Sequence, residues 1–174
     1  MERQDLLRSL IRAYPDWPTP GVLFQDLSPL MGDARGFATT IDLLAEATAA
    51  SQVDAVVGIE ARGWPWGAAL AVRLGAGFVP LRKAGKLPGE VHSMHYALEY
   101  GTAVLELQSE ALAAGHRVLL VDDVLATGGT AAAAVSLVRR AGADVVGVAV
   151  VSEIPVLQGR DRLPGVPVHA LLAF

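Results

Sequence analysis

The chain of 174 residues carries a net charge of −4, is 52% hydrophobic and contains no cysteine. This length predicts one domain around a single core, and the negative charge argues against a general nucleic-acid or membrane-surface binder. The missing cysteines exclude disulfides, thiol nucleophiles and cysteine-bound metals. With no recognisable secretory signal and no long apolar run, the expected location is the cytoplasm.

The first fifty residues predict two helices joined by an extended arm. Apolar residues recur at helical spacing from Leu6, and Pro15 is expected to end that helix. The arm covers residues 15–27 and contains Phe24, which either belongs to the core or covers a planar ligand. Asp33 is predicted to cap a helix that runs to about residue 50.

The remainder of the chain alternates buried strands with helices. Strands are predicted over residues 54–59, 78–81, 118–121, 145–151 and 166–174, and helices over 65–74 and 130–140. This alternation indicates an α/β fold with a mainly parallel sheet flanked by helices. In such a sheet, ligands bind outside the carboxyl ends of the strands.

Residues 87–101 differ from their surroundings because they show little apolar periodicity. They contain prolines, glycines, two histidines and two tyrosines, which predicts a long mobile loop of the kind that closes over a reaction. A strand over 102–107 would make this loop a lid within a hairpin. His92 and His95 are three residues apart without a helix or a third ligand nearby, so a metal site is not favoured here.

The main ligand site is predicted over residues 118–130, VLLVDDVLATGGT. Asp122 and Asp123 follow a short apolar strand, and residues 127–130 form a loop whose glycines let the backbone close around an anion ahead of a helix. A phosphate in the loop, with sugar hydroxyls on the carboxylates, describes a ribose 5-phosphate. Either feature alone would more simply be a solvated strand end or a turn, but their adjacency favours a site. The nucleotide-binding Walker and dinucleotide patterns do not occur.

Cations follow two other predicted strands. Arg62 comes after the strand over 54–59, and Arg82, Lys83 and Lys86 come after the strand over 78–81. A charged run is usually a solvated face. Because these cations share an edge with the acidic pair, they favour a second and more highly charged phosphate group, bound through charge-assisted hydrogen bonds.

Taken together, these motifs resemble the type I phosphoribosyltransferases, and more narrowly the branch that acts on adenine. The resemblance is carried by residues 118–130 and by four further stretches: 20–24 (PGVLF), 58–63 (GIEARG), 82–88 (RKAGKLP) and 96–101 (YALEYG). It extends from about Tyr14 to the last residue. It implies one domain over residues 1–174, with a base-binding hood within about 1–33 and a lid and hairpin within about 84–107.

The resemblance also implies a reaction and a set of roles. The reaction is Mg²⁺-dependent transfer of a 5-phosphoribosyl group from phosphoribosyl pyrophosphate to N9 of adenine, giving AMP and pyrophosphate, in a homodimer that binds no nucleic acid and no membrane. The metal is expected to be held mainly by substrate and water, not by the protein. The implied site residues are Glu99, Asp122 and Asp123 for catalysis; Ala126, Thr127, Gly128, Gly129 and Thr130 for the 5-phosphate; Ala61, Arg62, Arg82, Lys83 and Lys86 for pyrophosphate; Val22, Phe24 and Gln25 for the base; and His95, Tyr96 and Tyr100 for the lid.

Two positions depart from the family pattern, and two other functions stay open. Gln25 stands where arginine is common, which affects base contacts, and His95 stands where serine or threonine is common, which affects the lid. One alternative is transfer to a 6-oxopurine such as hypoxanthine, guanine or xanthine. The other is a regulator that senses phosphoribosyl pyrophosphate and binds nucleic acid, for which the length and charge leave little room.

Overall fold

The computed structural model describes residues 2–97 and 102–174. The helices of this part are α1 (Arg3–Ser9), α2 (Ser28–Gly32), α3 (Ala34–Ala47), α4 (Gly63–Leu74) and α5 (Gly129–Arg140). The strands are β1 (Arg12–Pro15), β2 (Leu23–Asp26), β3 (Ala55–Ile59), β4 (Gly77–Lys83), β5 (Val91–Ala97), β6 (Thr102–Gln108), β7 (Arg117–Leu125), β8 (Asp144–Glu153) and β9 (Val168–Ala173). Two short 3₁₀ turns, Pro155–Leu157 and Gly159–Arg162, connect β8 to β9.

Seven of these strands form the central sheet in the order β5-β6-β4-β3-β7-β8-β9. The five strands from β4 to β9 in that order are parallel to one another, whereas β6 pairs antiparallel with both β4 and β5. The predicted α/β fold with a mainly parallel sheet is therefore confirmed. None of the helices in the described ranges is long and apolar enough to cross a bilayer.

The sheet is covered on both faces, which explains why its central strands are continuous apolar runs. On one face, Val57 and Leu120 pack with the apolar side of α5. On the other face, Val56 and Leu119 pack with residues of α1 to α4, including the fully buried Trp66. Parallel strands buried on both sides need no polar alternation.

The strand order reverses at β3, and this reversal locates the ligand edge. From β3 the chain continues to β4 on one side, while β7 lies on the other side of β3. In open α/β sheets the crevice at such a switch point, outside the carboxyl ends of the strands, is where ligands bind. The segments after β3 and at the end of β7 are those that carry Arg62 and the acidic pair.

Two local predictions were wrong, and both errors concern sheet edges. The first helix ends at Ser9, and β1 pairs instead with β2, with Tyr14 opposite Phe24. Residues Val91–Ala97 form strand β5 rather than a loop; this strand lies at the edge of the sheet and pairs fully with β6. In both cases pairing with the next strand along the chain, β2 for β1 and β6 for β5, overrides the local pattern. The strand predicted over residues 102–107 is present as β6.

Candidate active site

The acidic pair lies in the second half of β7, because the strand extends beyond the predicted residue 121 to Leu125. Pairing between β3 and β7 stops at Val121. Beyond that point, the amide of Asp123 donates to Asp122 Oδ1 at 2.9 Å, and the amide of Val124 donates to Asp123 Oδ1 at 2.9 Å. These bonds fix both carboxyl groups at the sheet edge.

The two carboxyl groups differ in their electrostatic environment. Burial raises the pKa of Asp122 well above its ordinary value, and the neighbouring charge of Asp123 raises it further. Asp123 instead pairs with a cation: Arg62 Nε lies 2.9 Å from Asp123 Oδ2, and the Asp123 side chain is 7% exposed. The pair therefore combines a carboxyl that resists ionisation with a carboxylate that is held by an arginine.

The loop between β7 and α5 is shaped by close backbone packing. Gly128 has φ of +79° and precedes the first residue of α5, Gly129. A Cβ atom on Gly128 would lie 2.2 Å from the carbonyl oxygen of Gly159, so both its conformation and its surroundings require glycine. The amino end of α5 faces this loop, as an anion-binding site needs.

The segment after β3 meets the end of β7 directly. A Cβ atom on Gly63, the first residue of α4, would lie 2.5 Å from the carbonyl oxygen of Val121. This contact brings Arg62 beside Asp123. The guanidinium carbon of Arg62 also lies 5.5 Å from the ring centroid of Phe24, so Arg62 contacts the arm as well as the acidic pair.

β4 extends beyond the predicted residue 81 to include Arg82 and Lys83. These two residues and Lys86, which follows the strand, surround a buried carboxylate that the sequence did not single out. Glu60 is 8% exposed in its side chain and forms ion pairs with Arg82, at 3.4 Å, and with Lys86. Its Oε2 also accepts a 2.9 Å hydrogen bond from the amide of Lys83. Burial opposes ionisation, but the bonds from Lys86 and Lys83 and the charge of Arg82 lower the pKa of Glu60.

The amino-terminal arm forms a small hood made of β1 and β2. Phe24 is half-buried and packs against Trp17, with ring centroids 4.4 Å apart. The neighbouring Gln25 is buried, whereas Leu23 is 54% exposed. Phe24 is thus a hood residue and not part of either core cluster.

These groups line one cavity of about 370 Å³. The predicted residues in its wall are Val22, Phe24, Gln25, Ala61, Arg62, Lys83, Tyr96, Asp122, Asp123, Ala126, Thr127, Gly128, Gly129 and Thr130. Arg82 and Lys86 lie behind the wall at Glu60, and His95 is an exposed residue of β5 outside it. Glu99 and Tyr100 lie outside the described residues.

The wall also contains residues that the sequence did not single out as ligands, among them Leu23, Glu60 and Ile154. Ile154 directly follows β8, so the rule that strand ends carry the site would have found it. No group of three or more His, Cys, Asp or Glu side chains able to hold a metal occurs within residues 2–97 and 102–174.

Residues 33–164 match the family model described as phosphoribosyl transferase domain, and the chain belongs to this family. It is 54% identical over 166 residues to the adenine phosphoribosyltransferase of Thermobifida fusca, covering 95% of this chain and 94% of that one. Within the family, the chain belongs to the adenine phosphoribosyltransferases.

Solved structures show the same likeness. The adenine phosphoribosyltransferase of Thermoanaerobacter pseudethanolicus superimposes with a TM-score of 0.96 at 43% identity, covering 98% of this chain and 99% of that one. The enzyme from Saccharomyces cerevisiae, crystallised with adenine and an imino-altritol bisphosphate, gives 0.93 at 42% identity, with 98% of each chain covered.

Proposed function

We propose how the residues of this cavity divide the work of the family's reaction. In that reaction the enzyme transfers the 5-phosphoribosyl group of phosphoribosyl pyrophosphate to N9 of adenine, giving AMP and pyrophosphate. One observation carries the assignment. A single cavity at the switch point of the sheet contains the acidic pair, the glycine loop and the aromatic hood.

The donor's ribose 5-phosphate occupies the carboxyl end of β7. Residues 126–130 surround the phosphate with backbone N–H groups and threonine hydroxyls at the amino end of α5. Asp122 and Asp123 accept hydrogen bonds from the ribose hydroxyls. Because burial and the charge of Asp123 raise the pKa of Asp122, hydrogen bonds from the ribose hydroxyls and a nearby magnesium ion would favour its charged form.

The pyrophosphate leaves toward the segments after β3 and β4. Cleavage of the bond between C1 and pyrophosphate develops positive charge on the ribose and negative charge on the leaving group, so preorganised cations lower the barrier. Ala61, Arg62 and Lys83 line the cavity there, with Arg82 and Lys86 next to them. Mg²⁺ bound to the pyrophosphate oxygens would neutralise part of that charge.

The oxygen atoms that the cavity offers as metal ligands fit Mg²⁺. Mg²⁺ is usually bound through one or two carboxylates together with substrate phosphates and water. Asp122 and Asp123 supply carboxylates in the wall where the ribose lies. We therefore propose that substrate oxygens and water hold most of the metal's coordination sphere.

Adenine binds under the hood. Phe24 offers an aromatic face inside the cavity, flanked in the wall by Val22 and Gln25. Because the Gln25 side chain is uncharged, any polar contact from this part of the hood to the base comes from its amide group or from the backbone. In the lid, Tyr96 reaches the cavity wall; we propose that Glu99 handles the N9 proton and that Tyr100 closes the site with His95 on its outer side.

Two further properties are proposed on chemical grounds. The hood exposes apolar surface at Trp17 (53%) and Leu23 (54%), which supports a homodimer that sedimentation would detect as a concentration-dependent mass. The highly charged phosphoribosyl pyrophosphate does not cross membranes, which supports a cytoplasmic location where this donor is present.

The deciding experiment measures product nucleotide from each purine. The protein is incubated with Mg²⁺, phosphoribosyl pyrophosphate and, separately, adenine, hypoxanthine, guanine or xanthine, and the nucleotides are separated by chromatography. We expect AMP from adenine and little product from the 6-oxopurines. Negligible AMP together with efficient use of a 6-oxopurine would contradict the proposed acceptor.

A further inference from the structure

The carboxylate of Glu60 lies between cations that the proposed function assigns to pyrophosphate binding. It contacts three groups of the β4 end: the side chains of Arg82 and Lys86 and the amide of Lys83. The wall of the cavity contains Glu60 and Lys83 but neither Arg82 nor Lys86. Two of the cations are thus paired with the protein's own carboxylate.

The two paired cations are held to different extents. The guanidinium of Arg82 lies 5.1 Å from the ring centroid of Trp64, donates to the carbonyl of Lys86 at 3.0 Å, and belongs to a side chain that is 29% exposed. The side chain of Lys86 is 44% exposed and contacts Glu60 through its Nζ alone. Lys86 can therefore leave Glu60 at lower cost than Arg82.

Glu60 would not be left unpaired by that departure. The amide of Lys83 and the guanidinium of Arg82 would still satisfy its carboxylate. This matters because a buried carboxylate without partners is strongly destabilising. An incoming anion with several negative charges can then attract Lys86 more strongly than one carboxylate does.

We propose that Glu60 is a positioning residue that holds Lys86 in the absence of pyrophosphate and releases it when pyrophosphate binds. The proposal rests on the pyrophosphate site of the proposed function. Since the ion pair competes with the ligand, apparent pyrophosphate affinity is reduced by the fraction of molecules in which Lys86 is held. A donor without its pyrophosphate group would leave the ion pair intact.

The test is a double-mutant cycle read by calorimetric titration with pyrophosphate in the presence of Mg²⁺. We expect Glu60→Gln to lower the Kd for pyrophosphate about tenfold when Lys86 is present, and to change it less than about twofold in a Lys86→Met background. Gln retains an oxygen for the Lys83 amide. An equal effect in both backgrounds would mean that Glu60 acts only through its charge, and weaker binding by Glu60→Gln would mean that it preorganises the cations; either result overturns the proposal.

A matched control is available on the neighbouring strand. Glu106 of β6 accepts a 2.9 Å hydrogen bond from the amide of Gly85 in the same loop. Glu106→Gln removes the same charge near the same cations, and we expect it to change the Kd by less than about twofold. A tenfold gain from this variant would also overturn the proposal.

A second measurement needs no variant, so it decides the matter even if Glu60→Gln does not fold. In a structure of the unmodified chain with pyrophosphate and Mg²⁺ bound, we expect Lys86 Nζ to lie more than about 4 Å from the Glu60 carboxylate. Retention of the ion pair would overturn the proposal. AMP synthesis by the unmodified chain is assayed in parallel: its failure would contradict the proposed function, whereas the titration reports on Glu60 by itself.

Discussion

Gly159 packs against the proposed phosphate-binding loop, residues 126–130, from outside that motif, and replacing it by alanine tests the importance of this contact. It is buried at the start of the second of the two 3₁₀ turns between β8 and β9. A Cβ atom at this position would lie 2.2 Å from the carbonyl oxygen of Ala126 and 3.1 Å from the amide nitrogen of Gly128. Gly159 does not have a positive φ, so alanine is compatible with its backbone conformation and only the contact forbids it.

The expected magnitude follows from the size of that overlap. An ordinary contact of this kind is longer by roughly 1 Å, so the carbonyl of Ala126 and the loop after it must move by about that distance. A misplacement of about 1 Å at a reacting site lowers the rate about 100-fold, and overpacking costs about 1–3 kcal/mol of stability. We therefore expect kcat/KM for phosphoribosyl pyrophosphate to fall by tens of fold to about 100-fold in a folded protein.

The assay is the initial rate of AMP formation with phosphoribosyl pyrophosphate varied at saturating adenine, and then with the roles exchanged. The loss should appear against the donor, with the KM for adenine changed much less. Gly32→Ala is the matched control, because no atom lies within 4 Å of a Cβ there and its φ is not positive. Donor kinetics of Gly159→Ala equal to those of the control would refute the role of this contact.

Three other predictions concern the acidic residues. The double variant Asp122→Asn with Asp123→Asn should abolish AMP synthesis while retaining the circular dichroism spectrum of the parent; undiminished synthesis would contradict the donor site. Because the folded chain raises the pKa of Asp122, this residue keeps its proton at pH values where it has already lost it in the unfolded chain. The free energy of unfolding therefore falls as the pH rises from the ordinary aspartate pKa toward the raised pKa of Asp122. Asp122→Asn alone should therefore raise the Tm at neutral pH, and this gain in Tm should shrink below about pH 4. A gain in Tm that stays constant at all pH values would contradict this reasoning. Glu99→Ala should lower kcat more than it raises KM, and an unchanged kcat would remove Glu99 from the proton transfer.

The parts of the site that could be predicted from the sequence are those built from adjacent residues. Asp122 and Asp123 follow an apolar run within β7, and the glycine loop follows that strand, so one strand, one turn and one helix start place all of these groups. The carboxyl-end rule then placed Arg62 at the same edge. Such local patterns are enough to place these residues at the site, because the only long-range contact they need is the pairing of β3 with β7.

The parts that could not be predicted depend on contacts between distant segments. Glu60 and Lys86 are 26 residues apart, and nothing in either stretch indicates that they form an ion pair. Sequence reasoning therefore assigned Lys86 to the ligand alone. The contact between Gly128 and Gly159 also joins segments that are far apart in the sequence, and neither glycine's neighbouring residues indicate that the two meet. The strand β1 was missed because its stability comes from β2 and not from its own propensity.

In the proposed function, Arg62 joins the two halves of the cavity that the ribose and the base would occupy. Its Nε is bonded to Asp123 on the ribose side, and its guanidinium lies over Phe24 on the base side. A shift of Arg62 toward pyrophosphate would release both the carboxylate that accepts a ribose hydroxyl and the aromatic face that receives adenine. Since Lys86 is held by Glu60 in the same way, the proposed roles predict that donor binding exchanges ion pairs within the protein for ion pairs with the ligand. Such an exchange favours a ligand that carries both the ribose hydroxyls and the pyrophosphate, because only that ligand offers new partners to Asp123, Arg62 and Lys86 together, while Glu60 keeps the Lys83 amide and Arg82.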